Sequence, residues 1–218
     1  MINADRCARD VVVVGASAGG VPTLIALFAK LPRDLPAAVA VVLHRSPYHE
    51  SNLSRVLARW ANLSIVEPAD GTALEGRRVY IAPRDHHMTL EDGRVRIHRG
   101  PKEHRTRPAV DPLFRSAADV YGPRVVGVLL TGGGEDGVQG LIRIKAAGGL
   151  SIAQDPNEAP FPFMPMNAIV YDSVDAVLQV EMIAAAIPLL ARGEQVIAPV
   201  RPRGGRLPEV DAEGTVEP

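Results

Sequence analysis

The chain has 218 residues, of which 46% are hydrophobic and 22% charged, and its formal net charge at pH 7 is −1. These values fit one globular domain and give no general attraction to nucleic acid or acidic membranes. No apolar run approaches the ~20 residues of a membrane span, and the polar N-terminus lacks a secretory signal. The single cysteine, Cys7, excludes an internal disulfide. We therefore expect a cytoplasmic protein without nucleic-acid binding or membrane insertion.

The first structural signal is the valine run Val11–Val14, which Gly15 follows at once. Such a short β-branched run is typical of a parallel strand buried on both faces. Apolar residues then recur at helical spacing over Val21–Phe28 and predict a helix. Between the two, Gly15-Ala16-Ser17-Ala18-Gly19 fits the G-x-S-x-G nucleophile elbow, which places a serine at the apex of a sharp strand-to-helix turn.

The turn around Ser17 has two other interpretations. A dinucleotide-binding fingerprint also joins a first strand to a helix, but its second glycine would be Ser17. The acidic residue that this fingerprint expects is also missing, because the second predicted strand ends in His44. The third interpretation is a glycine–serine turn that only joins two elements. The elbow by itself therefore leaves catalysis open.

Predicted strands and helices alternate along the rest of the chain. The strands are predicted over 38–43, 63–66, 79–82, 125–130 and 150–153. The helices are predicted over 53–60, 111–120, 138–145 and 182–190, and Asp111-Pro112 is predicted to cap the second of them. A proline-rich loop is predicted over 155–165. Alternation around Asp92-Gly93 predicts a hairpin. The fold class is therefore α/β: a doubly wound, mostly parallel sheet with helices on both faces and a small antiparallel hairpin.

Composition divides the chain into three parts. We expect a flexible leader over residues 1–9 and one folded domain over residues 10–192. Beyond it, prolines, glycines and charges dominate residues 193–218, which predicts a disordered tail.

Three polar residues follow predicted strands of this sheet: Ser17, His44 and Asp136. Sites in such sheets form at the carboxyl ends of strands, so we expect the three to be neighbours. A histidine can take the proton of a serine hydroxyl, and a carboxylate can orient its imidazole. Their plainer interpretations are a polar strand end for His44, a helix cap for Asp136, and a metal pair formed with Glu135. Four arginines form either a solvated face or a rim for an acidic partner: Arg45, Arg84, Arg105 and Arg107.

Six segments form an ordered set: Val14–Gly20, Leu43–Pro47, Tyr80–Pro83, Arg107–Ala118, Leu130–Gly137 and Ile152–Asp155. Together they resemble the catalytic domain of the CheB-type chemotaxis protein-glutamate methylesterases over roughly residues 10–190. The resemblance implies a nucleophile at Ser17, a base at His44 and an orienting aspartate at Asp136. It also implies hydrolysis of glutamate γ-methyl esters on the cytoplasmic helices of chemoreceptors, with release of methanol. Some members deamidate receptor glutamines, and the family uses no metal or organic cofactor.

The chain departs from the family pattern near the implied oxyanion contacts. The family commonly has Thr and Met where this chain has Ala18 and Gly133. Backbone N–H donors survive a change of side chain, so we expect oxyanion contacts at Ala18 and Gly133. We also expect Gly19 and Met164 to contact substrate, although Phe163 stands where the family usually has glycine, which affects substrate choice.

The family's typical architecture places a receiver domain before the catalytic domain. Only about ten residues precede the first predicted strand. We therefore expect constitutive access to Ser17, a methylated chemoreceptor as partner, and a separate regulator acting in trans. Two alternatives stay open: an esterase with the same triad and another acyl substrate, and a catalytically weak receptor-binding signalling module.

Overall fold

The computed structural model describes residues 7–46, 48, 52–194 and 196. The strands are β1 (Val11–Ala16), β2 (Ala38–Leu43), β3 (Ser64–Val66), β4 (Arg78–Ile81), β5 (His87–Glu91), β6 (Arg94–His98), β7 (Val125–Leu129), β8 (Leu150–Gln154) and β9 (Ala176–Leu178). The α-helices are α1 (Gly20–Lys30), α2 (Leu53–Ala58), α3 (Val110–Tyr121), α4 (Val138–Ala146), α5 (Phe163–Tyr171) and α6 (Val180–Ala191), with a 3₁₀ turn at Gly122–Arg124.

Seven strands form one sheet in the order β3-β4-β2-β1-β7-β8-β9. Every pairing in it is parallel, and β1 lies between β2 and β7, with Val14 opposite both Val41 and Val128. The chain builds one half of the sheet outward from β1 and then returns to build the other. The carboxyl ends of β1, β2 and β7 therefore meet at a topological switch point, where doubly wound sheets form their sites.

The central strands of the sheet are buried on both faces, as the valine-rich runs predict. Val12 and Val14 belong to one core, with α1 and α6, and Val11 and Val13 belong to the other, with α3 and α4. All six residues of β1 are buried. This arrangement confirms the predicted α/β fold class, and its rigidity fixes the strand ends that carry the polar residues.

The predicted hairpin is also present, as β5 and β6 joined at Asp92-Gly93. Gly93 has a φ of 69°, which a tight hairpin turn favours. The hairpin forms a separate two-stranded antiparallel sheet and packs against α3.

Two elements were not predicted from the sequence, α5 and β9. Most of α5 is buried, so its apolar residues occur without a helical period, and the proline-rich stretch before it was interpreted as part of a longer loop. β9 has only three residues, too few for a periodic signal.

Both chain ends extend outside the described residues. Residues 1–6 and 197–218 are among those not described, so the leader and the tail stay predictions. Arg9, within the predicted leader, is buried; its backbone N–H donates to the carbonyl of Leu190 at 2.9 Å, and its guanidinium donates to the carbonyls of Pro123 and Gly148. None of the helices in the described part of the chain is long and apolar enough to cross a membrane.

Candidate active site

The backbone holds Ser17 and His44 at the carboxyl edge of the sheet. The N–H of Ser17 donates to the carbonyl of Thr131, just after β7, at 2.9 Å. The N–H of His44 donates to the carbonyl of Ala16 at 3.0 Å, which extends the β1–β2 ladder by one bond. Main-chain bonds between neighbouring strands therefore fix both residues.

The side chains of Ser17, His44 and Asp136 form one hydrogen-bonded chain. Nδ1 of His44 lies 3.1 Å from Oγ of Ser17, and Nε2 of His44 lies 2.7 Å from Oδ2 of Asp136. Asp136 is only 2% exposed, whereas the imidazole is 13% exposed. The three residues that the sequence predicted to be neighbours are therefore in contact.

The two ring nitrogens of His44 have different partners, which assigns the tautomer. A carboxylate only accepts hydrogen bonds, so Nε2 carries the proton and donates it to Asp136. Nδ1 is then the free base and accepts the hydroxyl proton of Ser17. In the chymotrypsin-type triad Nδ1 faces the aspartate and Nε2 faces the serine. In both arrangements one ring nitrogen donates to the aspartate and the other accepts from the serine.

The carboxylate of Asp136 is held by the first backbone N–H groups of α3. Oδ2 accepts from the N–H of Val110 at 2.8 Å, and Oδ1 accepts from the N–H of Asp111 at 2.9 Å. Helix starts leave such donors unsatisfied and favour negative charge. Burial acts to raise the pKa of Asp136, but the hydrogen bonds from His44, Val110 and Asp111 outweigh it and hold the pKa below its ordinary range.

Asp111 does not cap its own helix, contrary to the sequence-based prediction. α3 begins at Val110, and its N-cap residue, Ala109, makes no side-chain cap bond. Oδ1 of Asp111 instead accepts from the N–H of Gly140, in the first turn of α4, at 2.7 Å. Asp136, in the loop before α4, binds the start of α3, and Asp111 of α3 binds the start of α4. These reciprocal caps lock the two helices together and orient Asp136.

Thr131 joins the serine turn to the loop before α5. Its hydroxyl donates to the carbonyl of Ala18 at 3.0 Å and accepts from the N–H of Phe161 at 2.9 Å. Its backbone N–H donates to Oε1 of Gln154, on β8, at 2.9 Å. Gly132 then follows, and a β-carbon there would lie 2.8 Å from Cβ of Ser17. The position therefore requires glycine.

Two backbone N–H groups beside Ser17 are free to contact a developing oxyanion. Those of Ala18 and Gly133 donate to no group within the described residues, whereas the N–H of Gly132 donates to the carbonyl of Phe161. Ala18 and Gly133 are both exposed. The oxyanion role that the resemblance implies for these two residues is therefore geometrically open to them, and it stays a prediction.

The cleft has two arms that meet at Ser17 and His44. The apolar arm has a volume of about 430 Å³ and runs between α1 and α2; its other lining residues include Gly19, Val21, Pro22, Leu43, Leu53 and Val56. The polar arm has a volume of about 550 Å³ and runs past Asp136; its lining residues include His104, Arg105, Thr106, Gly133, Glu135 and Asn167. The hydroxyl of Ser17 therefore lies where an extended or helical substrate can occupy both arms.

The two remaining sequence-predicted contact residues lie in different environments. Gly19 has a φ of 72°, precedes α1 and lines the apolar arm. Met164 is fully buried, its N–H donates to the carbonyl of Gly132, and its sulfur lies beside that glycine. Met164 therefore supports the loop from behind and does not face the open cleft, which corrects its predicted place as a substrate contact.

One group of side chains, His104, Asp111 and Asp136, has the residue types of a metal site, with ligand atoms within 4.8 Å of one another. Each carboxylate oxygen already accepts a hydrogen bond. His104 donates to Oδ2 of Asp111 at 2.8 Å, and the backbone and His44 satisfy the other three oxygens. The group therefore fits an ion-pair network. Glu135 is exposed and is not part of this group.

No sequence pattern predicts this network. His104 lies in a segment without a predicted element, and Asp111 is predicted only as a helix cap. The signal that could have found them is a histidine seven residues before an aspartate at a helix start, which is too weak to interpret without the fold.

A parallel doubly wound sheet with a Ser–His–Asp chain at its switch point has the architecture of an α/β serine hydrolase. The family model described as CheB methylesterase matches residues 12–187, and the chain belongs to this family.

Two curated relatives carry the name protein-glutamate methylesterase/protein-glutamine glutaminase. The relative from Pyrococcus horikoshii is 38% identical over 83% of this chain and 50% of its own length. The second relative, from Anaeromyxobacter dehalogenans, carries this name followed by the number 2. It is 43% identical over 86% of this chain and 55% of its own length. The chain thus spans about half the length of these two relatives. A protein from Leptospira interrogans with the same name, marked putative, is 35% identical over 80% of this chain and 91% of its own length.

A solved structure shows the same fold. The crystal structure of the Thermotoga maritima CheB methylesterase catalytic domain superposes with a TM-score of 0.79 at 32% sequence identity. It covers 84% of this chain and all of that one. The fold described above is therefore that of the CheB methylesterase catalytic domain.

Proposed function

We propose that the chain is a serine esterase that hydrolyses glutamate γ-methyl esters on the cytoplasmic helices of chemoreceptors and releases methanol. The observation that carries the proposal is the hydrogen-bonded chain Ser17–His44–Asp136 at the switch point of the sheet. Membership of the CheB methylesterase family and the names of the relatives support the substrate class. Chemoreceptor helices of this kind place the enzyme in the cytoplasm.

The reaction follows from the geometry in two halves. Oγ of Ser17 attacks the ester carbonyl carbon while Nδ1 of His44 takes the hydroxyl proton. The bond to the methoxy oxygen then breaks, and that oxygen takes the proton from His44 and leaves as methanol. Water attacks the resulting acyl-serine, again giving a proton to Nδ1, and the proton returns to Oγ as the glutamate acid leaves. Asp136 stabilises the imidazolium in both halves.

The free N–H groups of Ala18 and Gly133 are the proposed donors to the oxyanion. Such donors act on charge that develops only in the transition state, and each is worth ~10²-fold or more in rate. Both are backbone groups, so the side-chain departures from the family pattern leave them in place. A glutamine side chain presents the same carbonyl geometry, so the same steps with ammonia as leaving group give deamidation.

The two arms fit a helix that carries the ester. One side of such a helix is apolar and matches the apolar arm beside Val21 and Val56, both part-exposed. On the other side, Arg105 and Lys102 are exposed and form no ion pair within the described residues. These two cations are available to carboxylates that neighbour the esterified glutamate.

The test measures methanol release from a methylated chemoreceptor fragment, with wild-type protein, Ser17→Ala and Ser64→Ala. Ser64 is an exposed serine on the outermost strand and serves as the matched control. Removing the nucleophile should leave only catalysis by binding and oxyanion contacts, ~10³–10⁴-fold over water in the protease benchmark. A folded Ser17→Ala protein with wild-type release would disprove the triad assignment.

Labelling with a fluorophosphonate separates the alternatives. A wild-type protein that is labelled at Ser17 but releases no methanol is an esterase with another acyl substrate. A protein that binds the receptor fragment but shows neither labelling nor release is a signalling module.

A further inference from the structure

The loop before α3 carries a two-residue turn in a disfavoured conformation. The backbones of Glu103 and Thr106 exchange two hydrogen bonds, at 2.8 and 3.2 Å, and the residues between them, His104 and Arg105, have φ values of 48° and 62°. Positive φ at both central positions is the pattern of a type I′ turn, which favours asparagine and glycine. Histidine is among the residues that tolerate positive φ, so the turn can hold the His104 side chain in a defined direction.

The turn directs His104 at the aspartates of the site. Nε2 of His104 lies 2.8 Å from Oδ2 of Asp111 and 3.8 Å from Oδ1 of Asp136. These carboxylates are 1% and 2% exposed, whereas the His104 side chain is 31% exposed. Glu103 binds Arg115 on α3 at 2.8 Å and anchors the base of the turn.

Two buried carboxylates this close together repel each other unless a cation compensates them. Burial and the charge of Asp136 raise the pKa of Asp111. Burial acts to lower the pKa of His104, but its hydrogen bond to Asp111 and the charges of Asp136, Asp111 and Glu135 outweigh it, so the pKa is raised. His104 therefore keeps its proton above the pH at which a free histidine loses it.

The other groups around His104 do not replace this cation. Arg105 is exposed on the same turn, and Arg115 is paired with Glu103. Glu135, in the loop before α4, adds negative charge. Asn167, on α5, and Thr106 are neutral lining residues of the polar arm.

We propose that His104 is a positioning residue whose imidazolium lies beside Asp136 and offsets the combined negative charge of Asp136 and Asp111 behind His44. The proposal rests on the roles proposed above for the three residues of the triad. Asp136 and Asp111 together create a negative potential behind His44. A positive charge 3.8 Å from Asp136 offsets part of this potential, so the pH dependence of the reaction at Ser17 should respond to that charge.

The test uses a matched pair of variants, His104→Asn and His104→Arg. Neither titrates in the relevant range and both offer a donor to Asp111, but only arginine carries the charge. Asparagine also tolerates positive φ, so the turn should be kept. The measurement is the rate of fluorophosphonate labelling of Ser17 between pH 5 and pH 9, with thermal unfolding as the check on folding.

We expect the acid limb of the labelling profile to move about 0.5 to 1 pH unit upward in His104→Asn, with a plateau within about threefold of wild type. His104→Arg should keep the wild-type limb. A purely structural role would lower the rate at every pH without moving the limb. Identical acid limbs in the labelling profiles of His104→Asn and His104→Arg would overturn the proposal.

Titration of the His104 ring signal by NMR tests this inference separately from the proposed function. The proton of His104 should persist above the ordinary range in the wild type and leave at lower pH in Asp111→Asn. A His104 that is neutral throughout the labelling range overturns this inference and leaves the proposed function intact. A wild-type protein that is not labelled at all contradicts the proposed function and, with it, this inference.

Discussion

The inner wall of the cleft and its outer rim are built differently. On the inner wall, Asp136 accepts three hydrogen bonds and is 2% exposed, and Thr131 bonds to three other segments. On the rim, Ala18, Gly133 and Arg105 are exposed. Ala18 and Gly133, the two proposed oxyanion donors, depart from the family pattern and lie on the rim. The fold thus fixes the proposed chemistry and leaves recognition to side chains that can change.

After removal of the nucleophile itself, the largest loss should come from the inner wall, with Asp136→Asn. An amide keeps the shape but presents an N–H2 group, so it cannot satisfy His44 and both backbone donors of α3 at once. The benchmark for a lost orienting carboxylate is ~10⁴ in kcat. The matched control is Glu135→Gln, its exposed neighbour on the rim, which should cost less than about tenfold. The measurement is kcat for each variant on the same ester.

Equal losses from Asp136→Asn and Glu135→Gln would contradict the division into wall and rim. They would indicate a shared role for the two carboxylates, such as a metal pair, and a chelator titration would then lower wild-type activity as well.

Two adjacent glycines mark the boundary between wall and rim. A β-carbon at Gly132 would lie 2.7 Å from the sulfur of Met164 and 2.8 Å from Cβ of Ser17, whereas one at Gly133 meets nothing within 4 Å. Gly132→Ala should displace Ser17 and lower kcat, with ~10²-fold as the scale for a 1 Å misplacement. Gly133→Ala should stay within about twofold of wild type, since its N–H is unchanged.

The pair is compared by kcat and by thermal unfolding. A Gly132→Ala protein with wild-type kcat and an unchanged unfolding temperature would show that the inner wall can accommodate a β-carbon at this position.

The smallest effect should come from the rim, with Arg105→Ser. Removing this cation should raise KM for an acidic receptor peptide by about threefold at low salt and leave kcat unchanged. The difference should disappear at high salt because exposed charges are screened. Arg33→Ser, an exposed arginine that lines a separate depression with Ser64, is the control and should change neither parameter. A loss in kcat in Arg105→Ser would instead assign Arg105 a role in the chemical step.

The sequence predicted the elements that carry strong local patterns. The valine runs fixed the central strands, and the residues that follow them, Ser17 and His44, lie where parallel strand ends meet. Asp136 was placed by the same argument, and the three side chains are in contact, although their catalytic roles stay predictions.

The network behind Asp136 could not be predicted, because it depends on how α3 and α4 pack. A carboxylate at the start of a helix is usually interpreted as a cap of that helix, and Asp111 was interpreted in this way. Only the packed structure shows that Asp111 and Asp136 each bind the other helix. The burial of Met164 could not be predicted either, because the local sequence does not show whether a residue lies behind the loop or faces the cleft.

The central position of β1 has a consequence for synthesis. β1 is synthesised before the other strands of the sheet, but one of its two neighbours is β7, and His44 and Asp136 lie 92 positions apart. Such long-range pairing is slow and cannot begin before the later strand exists. A nascent chain that already carries Ser17 and His44 therefore has no orienting carboxylate. We therefore expect the proposed esterase activity to appear only after β7 and the loop that carries Asp136 have been synthesised.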